Sequence, residues 1–188
     1  MPKTYVSFDE YEDVLASTDL LALVAPTLQK MPSNWKWMIL AAQNGVQGSL
    51  VCAVQDSTAT NILHRDSAAR TLEWLATLEG NPPKEILADF RQLLKRYRKK
   101  YPCHCITAEQ IRSLHTLHRE FRNSFAHFTP QGWLIETAML PPLVASALEL
   151  ISEAMQQHQV EVHFNEVMKR RLTSNLAATR AALGITKG

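Results

Sequence analysis

Ten consecutive residues, His118-Arg119-Glu120-Phe121-Arg122-Asn123-Ser124-Phe125-Ala126-His127, carry most of the chemistry this chain can offer. On an ideal helix at ~100° per residue, Leu114, Leu117, Phe121, Phe125 and Phe128 share one face, the core face. His118 and Arg122 flank that face, four residues apart. Arg119, Asn123 and His127 form a second row at i, i+4 and i+8, aimed away from the core. That row must meet solvent, a ligand or a second subunit.

These residue types suit phosphate chemistry. Cleaving RNA needs a base for the 2′-hydroxyl proton, an acid for the leaving 5′-oxygen and stabilisation of a crowded phosphate. Histidine titrates near neutrality and serves as either acid or base. Arginine donates two hydrogen bonds in a fixed plane and stays charged. Asn123 can hold a phosphate oxygen or fix the imidazole. The arrangement requires neither metal nor cofactor. His127 falls at a helix C-terminus, where the macrodipole favours its protonated form and hence an acid or electrostatic role. Arg122 and His127 stand ~140° apart around an ideal helix. They converge on one phosphate only if the helix loosens near Ala126 or a second subunit completes the site.

The elements that position this segment are helices. Residues 1–16 form a short amphipathic helix or an arm, and Ser17, Thr18 or Asp19 caps a helix running to about Lys30. Asn34 caps a helix from Trp35 to about Val54, inside which Gly45 and Gly48 permit close helix approach. A third helix runs from about Thr60 to Leu78, with Ile62, Leu63, Leu72, Leu75 and Leu78 as core positions. Gly80-Asn81-Pro82-Pro83 breaks the chain, and a helix begins near Lys84 with the stripe Ile86, Leu87, Phe90, Leu93, Leu94 and Tyr97. Thr107 with Gln110 makes a capping box for the helix that carries the key segment. That helix ends near His127 or Phe128, before Thr129-Pro130. Trp133 to Met139 is a short extended stretch ended by Pro141-Pro142. A long helix spans Leu143 to about Arg171, with His158-Gln159-Val160 as a weak point. Residues 172–188 hold a short helix, Ser174 to Leu183, capped by Gly184. The expected fold is one all-α domain over residues 1–188, a bundle of five or six main helices.

The fourth helix ends in a basic run, Arg91, Lys95, Arg96, Arg98, Lys99 and Lys100, interleaved with Tyr97 and Tyr101. Such a run is either a phosphate-backbone surface with rings for stacking or a solvated helix end whose cations suit the dipole. The net charge of +2 is too small to make the whole protein a polyanion binder, so charge placement decides. Cys103-His104-Cys105, with His115 and His118, invites a zinc reading. Its spacing is narrower than structural zinc sites use, and free thiols are the expectation. The odd cysteine count and the start Met1-Pro2-Lys3-Thr4-Tyr5 argue against a secreted disulfide framework. Apolar stretches such as Leu20 to Pro26 are too short to span a bilayer. The expectation is a soluble cytoplasmic protein.

Arg122-Asn123-Ser124-Phe125-Ala126-His127 resembles the Arg–polar–three residues–His motif of the HEPN superfamily. These are small all-α domains, many of them metal-independent endoribonucleases, others noncatalytic binders of nucleotides or RNA. The resemblance implies Arg122 and His127 as catalytic residues with Asn123 in support. It also implies a homodimer in which two copies of the motif face each other across one cleft, and RNA as the substrate. Arg119, His118, Lys95, Arg96, Arg98, Lys99 and Lys100 are then candidate RNA contacts. An antitoxin or other protein partner would be encoded elsewhere. Two further readings stand beside it: a noncatalytic RNA-, nucleotide- or protein-binding module of the same fold, and a structural bundle in which Arg122 pairs with a carboxylate.

Overall fold

The computed structural model describes residues 5–103, 106–127 and 132–185, and the described residues are helical with no strand longer than one isolated bridge. Nine α-helical segments lie among them, seven of nine residues or more, so the chain is cut more finely than five or six helices. Their apolar faces meet in one core containing Val14, Leu15, Met38, Val46, Leu93, Leu117 and Leu148, each 0% exposed.

Helix α1 (Glu10–Val24) takes the helical alternative for residues 10–16 and runs through the expected cap at Ser17–Asp19. Asp9 caps it instead, its carboxylate accepting from the Glu12 N–H at 2.7 Å, and Glu10, Glu12 and Asp13 suit the dipole of the first turn. Ser17 and Thr18 are buried within it, and the Thr18 hydroxyl donates to the Leu15 carbonyl. Helix α2 (Trp35–Val54) is the central rod, packed by α1, α4, α7 and the segment 117–126. Its two internal glycines are contact points, as expected. A Cβ on Gly45 would stand 2.9 Å from Ile151 Cδ1, and one on Gly48 2.8 Å from Val14 Cγ2. Asn34 does not cap α2; its amide donates to the Thr27 hydroxyl at 2.8 Å.

The expected helix from Thr60 is shorter. Helix α3 spans Arg65–Thr77, after a 3₁₀ turn at Thr60–Ile62. Leu63 pairs with Leu87 in an antiparallel bridge, with the His64 N–H on the Ile86 carbonyl at 2.7 Å and the Ala88 N–H on the Ile62 carbonyl at 2.9 Å. This pairing keeps residues 84–89 extended, so the next helix cannot begin at Lys84. Helix α4 (Phe90–Lys100) starts where Asp89 caps the Gln92 N–H at 2.8 Å. Ile62 and Leu63 are core residues, but Leu72, Leu75, Leu78, Ile86 and Leu87 are exposed, because α3 lies outside the main bundle.

Helix α5 (Ala108–Thr116) opens on the complete Thr107–Gln110 capping box. It continues as a π-helical segment, Leu117–Arg122, and a four-residue α6 (Asn123–Ala126). Helix α7 (Leu140–Met155) admits Pro141 and Pro142 into its first turn, where no N–H is needed, so they begin the helix rather than precede it. The expected helix from Leu143 to Arg171 breaks after Met155. A single turn, α8 (His158–Glu161), and then α9 (Glu166–Leu183) follow. Asn165 restarts the helix by accepting from the Val167 and Met168 N–H groups, both at 2.9 Å. Gln159 donates to the Cys52 carbonyl at 3.3 Å and also to Ala53, which draws the break onto the end of α2. Residues 174–183 are therefore the second half of α9, not a separate helix. Arg171 ties α9 to α1 through Asp19 and Glu12, and holds the Asp19 carboxyl below its ordinary range, with Asn175 assisting.

Thr137–Met155, with mean hydropathy 1.3, is long and apolar enough to cross a membrane, contrary to the reading that every apolar stretch is too short. Over half of it is buried in the bundle, where Val144, Ala147, Leu148 and Ile151 are 0% exposed.

Candidate functional site

The helix bearing the key residues loosens, but before Arg122 rather than near Ala126. Leu117–Arg122 adopts the wider π form, which is uncommon and tends to occur at functional sites. The core anchors are as expected: Leu114, Leu117 and Phe121 are buried, and Phe125 is half-buried. Phe121 stacks on Trp133 at 5.6 Å between ring centroids, and Phe125 leans on the same indole at 5.0 Å. Phe128 lies outside the described residues. The α form resumes at Asn123, and the His127 N–H returns to the Asn123 carbonyl at 2.9 Å. His127 then leaves the helix at φ −121° and ψ 58° and is exposed, its imidazole without a hydrogen bond among the described residues.

Arg122 and Asn123 form a unit. The Arg122 guanidinium donates from Nη1 to Asn123 Oδ1 at 3.1 Å. With its oxygen occupied, the amide presents its NH₂ as a donor. The amide NH₂ and the remaining guanidinium N–H groups are thus left as neighbouring donors, the pattern an anionic oxygen needs. Neither side chain hydrogen-bonds the His127 imidazole among the described residues.

His118 is not displayed to solvent with the outward row. Its ring stacks on Phe90 of α4, 4.7 Å apart at 23°, and burial together with the nearby Arg122 charge pushes its pKa down. Arg119 is exposed beside it.

The basic run divides in two. Arg96 donates from Nη1 to the Asn61 and Leu63 carbonyls at 2.8 and 2.9 Å, fastening the turn that precedes α3. Lys100 donates to the Ala53 and Val54 carbonyls, both at 3.1 Å, at the C-terminus of α2. The hydroxyl of Tyr101 reaches the same Ala53 carbonyl at 2.8 Å. Lys95, Arg98 and Lys99 are exposed. Tyr97 is 0% exposed, so it is a core ring and not a stacking platform. The reason is the helical period: Leu93, Leu94 and Tyr97 point inward, and Arg96 and Lys100 lie on the flank that meets residues 61–63 and the end of α2.

His104 and Cys105 lie outside the described residues; Cys103 is exposed. Among the described residues no three metal-ligating side chains cluster. Cys52 is buried, and burial with the Glu10 charge drives its thiol pKa up, away from reactivity.

Two groups went unassigned in the sequence reading of this region: His115 as a neighbour of Phe90, and Arg91 as a neighbour of both histidines. The i,i+3 spacing of His115 and His118 was visible, but the α4 ring they share was not.

No family model, curated protein or solved structure matches this chain. The described residues form an all-α helical protein with the Arg122–Asn123 pair and an exposed His127 at the end of a π-distorted helix.

Proposed function

We propose that the protein is a HEPN-like, metal-independent endoribonuclease whose cleft forms between two copies of the chain. The observation that carries this reading is the Arg122–Asn123 hydrogen bond beside a free, exposed His127. Arg122 and the Asn123 amide would hold the phosphate oxygens, and His127 would donate the proton to the leaving oxygen. His127 turns outward, so the imidazole serving a given Arg122 comes from the partner copy. Lys95, Arg98 and Lys99 would steer the polyanion. Arg96 and Lys100, engaged by carbonyls, contribute less than the sequence suggests. The cytoplasm is the compartment this activity fits. The same exposed cations also suit a noncatalytic RNA-binding module of the same fold. The test is RNA incubated with the purified chain in EDTA. Cutting that disappears in Arg122→Ala and His127→Ala supports the nuclease; salt-sensitive binding without cutting supports the module.

A further inference from the structure

The ring of Phe90 is the hub of a second polar cluster. His118 stacks on one side of it, and His115 meets it edge-on, with centroids 6.1 Å apart at 88°. The two histidines are three residues apart and share this face of α5 and the π segment. In both, Nδ1 is buried and has no hydrogen-bond partner. An N–H buried without an acceptor is costly, whereas a bare lone pair costs less. The proton of each neutral ring therefore sits on Nε2, and both rings present an N–H donor.

The surrounding charge is positive. The guanidiniums of Arg91 and Arg119 act on His115, and those of Arg122 and Arg91 act on His118. Neither Arg91 nor Arg119 has an ion pair or hydrogen bond among the described residues, and both are exposed. Among the described residues Asp89 is the one carboxylate whose charge reaches His118, and its Oδ1 is taken by the Gln92 N–H. Burial first and the guanidiniums second push both imidazole pKa values down, which favours the neutral form. Two ring N–H donors among three guanidiniums make a poor metal site and a fitting anion site.

We propose that His115 and His118, seated on the Phe90 ring, form with Arg91 and Arg119 a site for a phosphate group. The phosphate belongs either to an RNA chain or to a small free ligand. In the RNA case the site lies one turn upstream of Arg122 and Asn123, extends the cleft to a neighbouring phosphate, and rests on the reading above. The free-ligand case does not.

The test is imidazole ¹⁵N NMR of the full chain, titrated with inorganic phosphate at fixed ionic strength. A second arm adds a single-stranded oligoribonucleotide to the His127→Ala chain. The expected result is Nε2–H tautomers for His115 and His118 and joint, saturable shifts of both. Arg91→Gln, a change at an exposed position, should weaken binding about tenfold or more, the worth of one charge-assisted hydrogen bond. Arg70→Gln, an exposed position on α3 outside the proposed contacts, should change it by less than about twofold. Shifts in both arms, or with phosphate alone, support a site for free phosphate groups; shifts with the oligonucleotide alone place the phosphate in RNA. Nδ1–H tautomers, or no shift of either ring in either arm, overturn the proposal. Cutting is not the readout, so a chain that binds phosphate here but never cleaves RNA refutes the nuclease and leaves this site standing.

Discussion

Replacing Gly48 by alanine tests whether the central helix sets the spacing of the bundle. Two effects oppose each other. Alanine is the better helix former by about 1 kcal/mol, which stabilises α2. The new methyl, however, would sit 2.8 Å from Val14 Cγ2 and 3.3 Å from Asp13 Oδ2. Carbon atoms pack best at about 3.5–4.0 Å, so α1 must shift or Val14 must leave its rotamer. Val14 is 0% exposed and β-branched, hence stiff. Overpacking of this kind costs about 1–3 kcal/mol, so after the helix gain the net expectation is a loss of up to about 2 kcal/mol. For a chain of this length that lowers Tm by up to roughly 8 °C. Gly45→Ala provides the internal comparison. Its closest neighbour, at 2.9 Å, is the terminal Cδ1 of Ile151, the movable end of a longer side chain. Its loss should be the smaller of the two. The assay is thermal and urea unfolding followed by circular dichroism, with an unchanged urea m-value as the check on two-state behaviour. A Gly48→Ala chain that melts higher than the wild type would refute the close α1–α2 approach.

The pH dependence of stability follows from His115 and His118, whose folded pKa values lie below the ordinary one. The unfolded chain takes up protons first as pH falls through about 6.5, so these histidines cost nothing above that pH and erode stability below it. The urea midpoint should fall between about pH 7.5 and 5.5, and His118→Phe, which keeps the ring stack on Phe90, should flatten that fall; an equal slope in wild type and variant would contradict the assignment. Arg96 and Lys99 should separate structure from binding. Arg96→Gln should cost about 1–3 kcal/mol of stability by orphaning two carbonyls. Lys99→Gln should leave stability unchanged and reduce the salt slope of RNA binding by about 0.7. The opposite pattern, read by urea melts and salt titrations, would reverse the roles.

The sequence made legible whatever local signals determine. The span of α2 follows from its apolar spacing, the start of α5 from Thr107 and Gln110, and the close approaches from glycines set within a helix. Partners were not legible. Leu72, Leu75 and Leu78 show a helical stripe, but spacing cannot say whether another helix lies against it. The break between α7 and α9 has no glycine or proline; it depends on the Asn165 cap and on Gln159 reaching the end of α2. Within the candidate site, the exposure of Arg119 and His127 followed from periodicity, while Asn123 of the same row is half-buried. The π segment did not, because six residues cannot distinguish its period from that of an α-helix. The Arg122–Asn123 hydrogen bond joins sequence neighbours and was within reach of inspection. The Phe90 hub joins α4 to α5, a tertiary contact that no spacing within one helix reveals.

The proposed cleft draws Arg122 from one copy and His127 from the other, and mixing variants tests this most directly. Arg122→Ala and His127→Ala chains are each assayed alone on RNA in EDTA, then unfolded together, refolded and assayed as a mixture. Alone, each should be inactive in both sites of its dimer. In the mixture about half the dimers are mixed, and each holds one intact Arg122–His127 pair across the two-fold axis. The account predicts recovery to about a quarter of wild-type cutting. A mixture that forms mixed dimers yet stays as inactive as its components would contradict it.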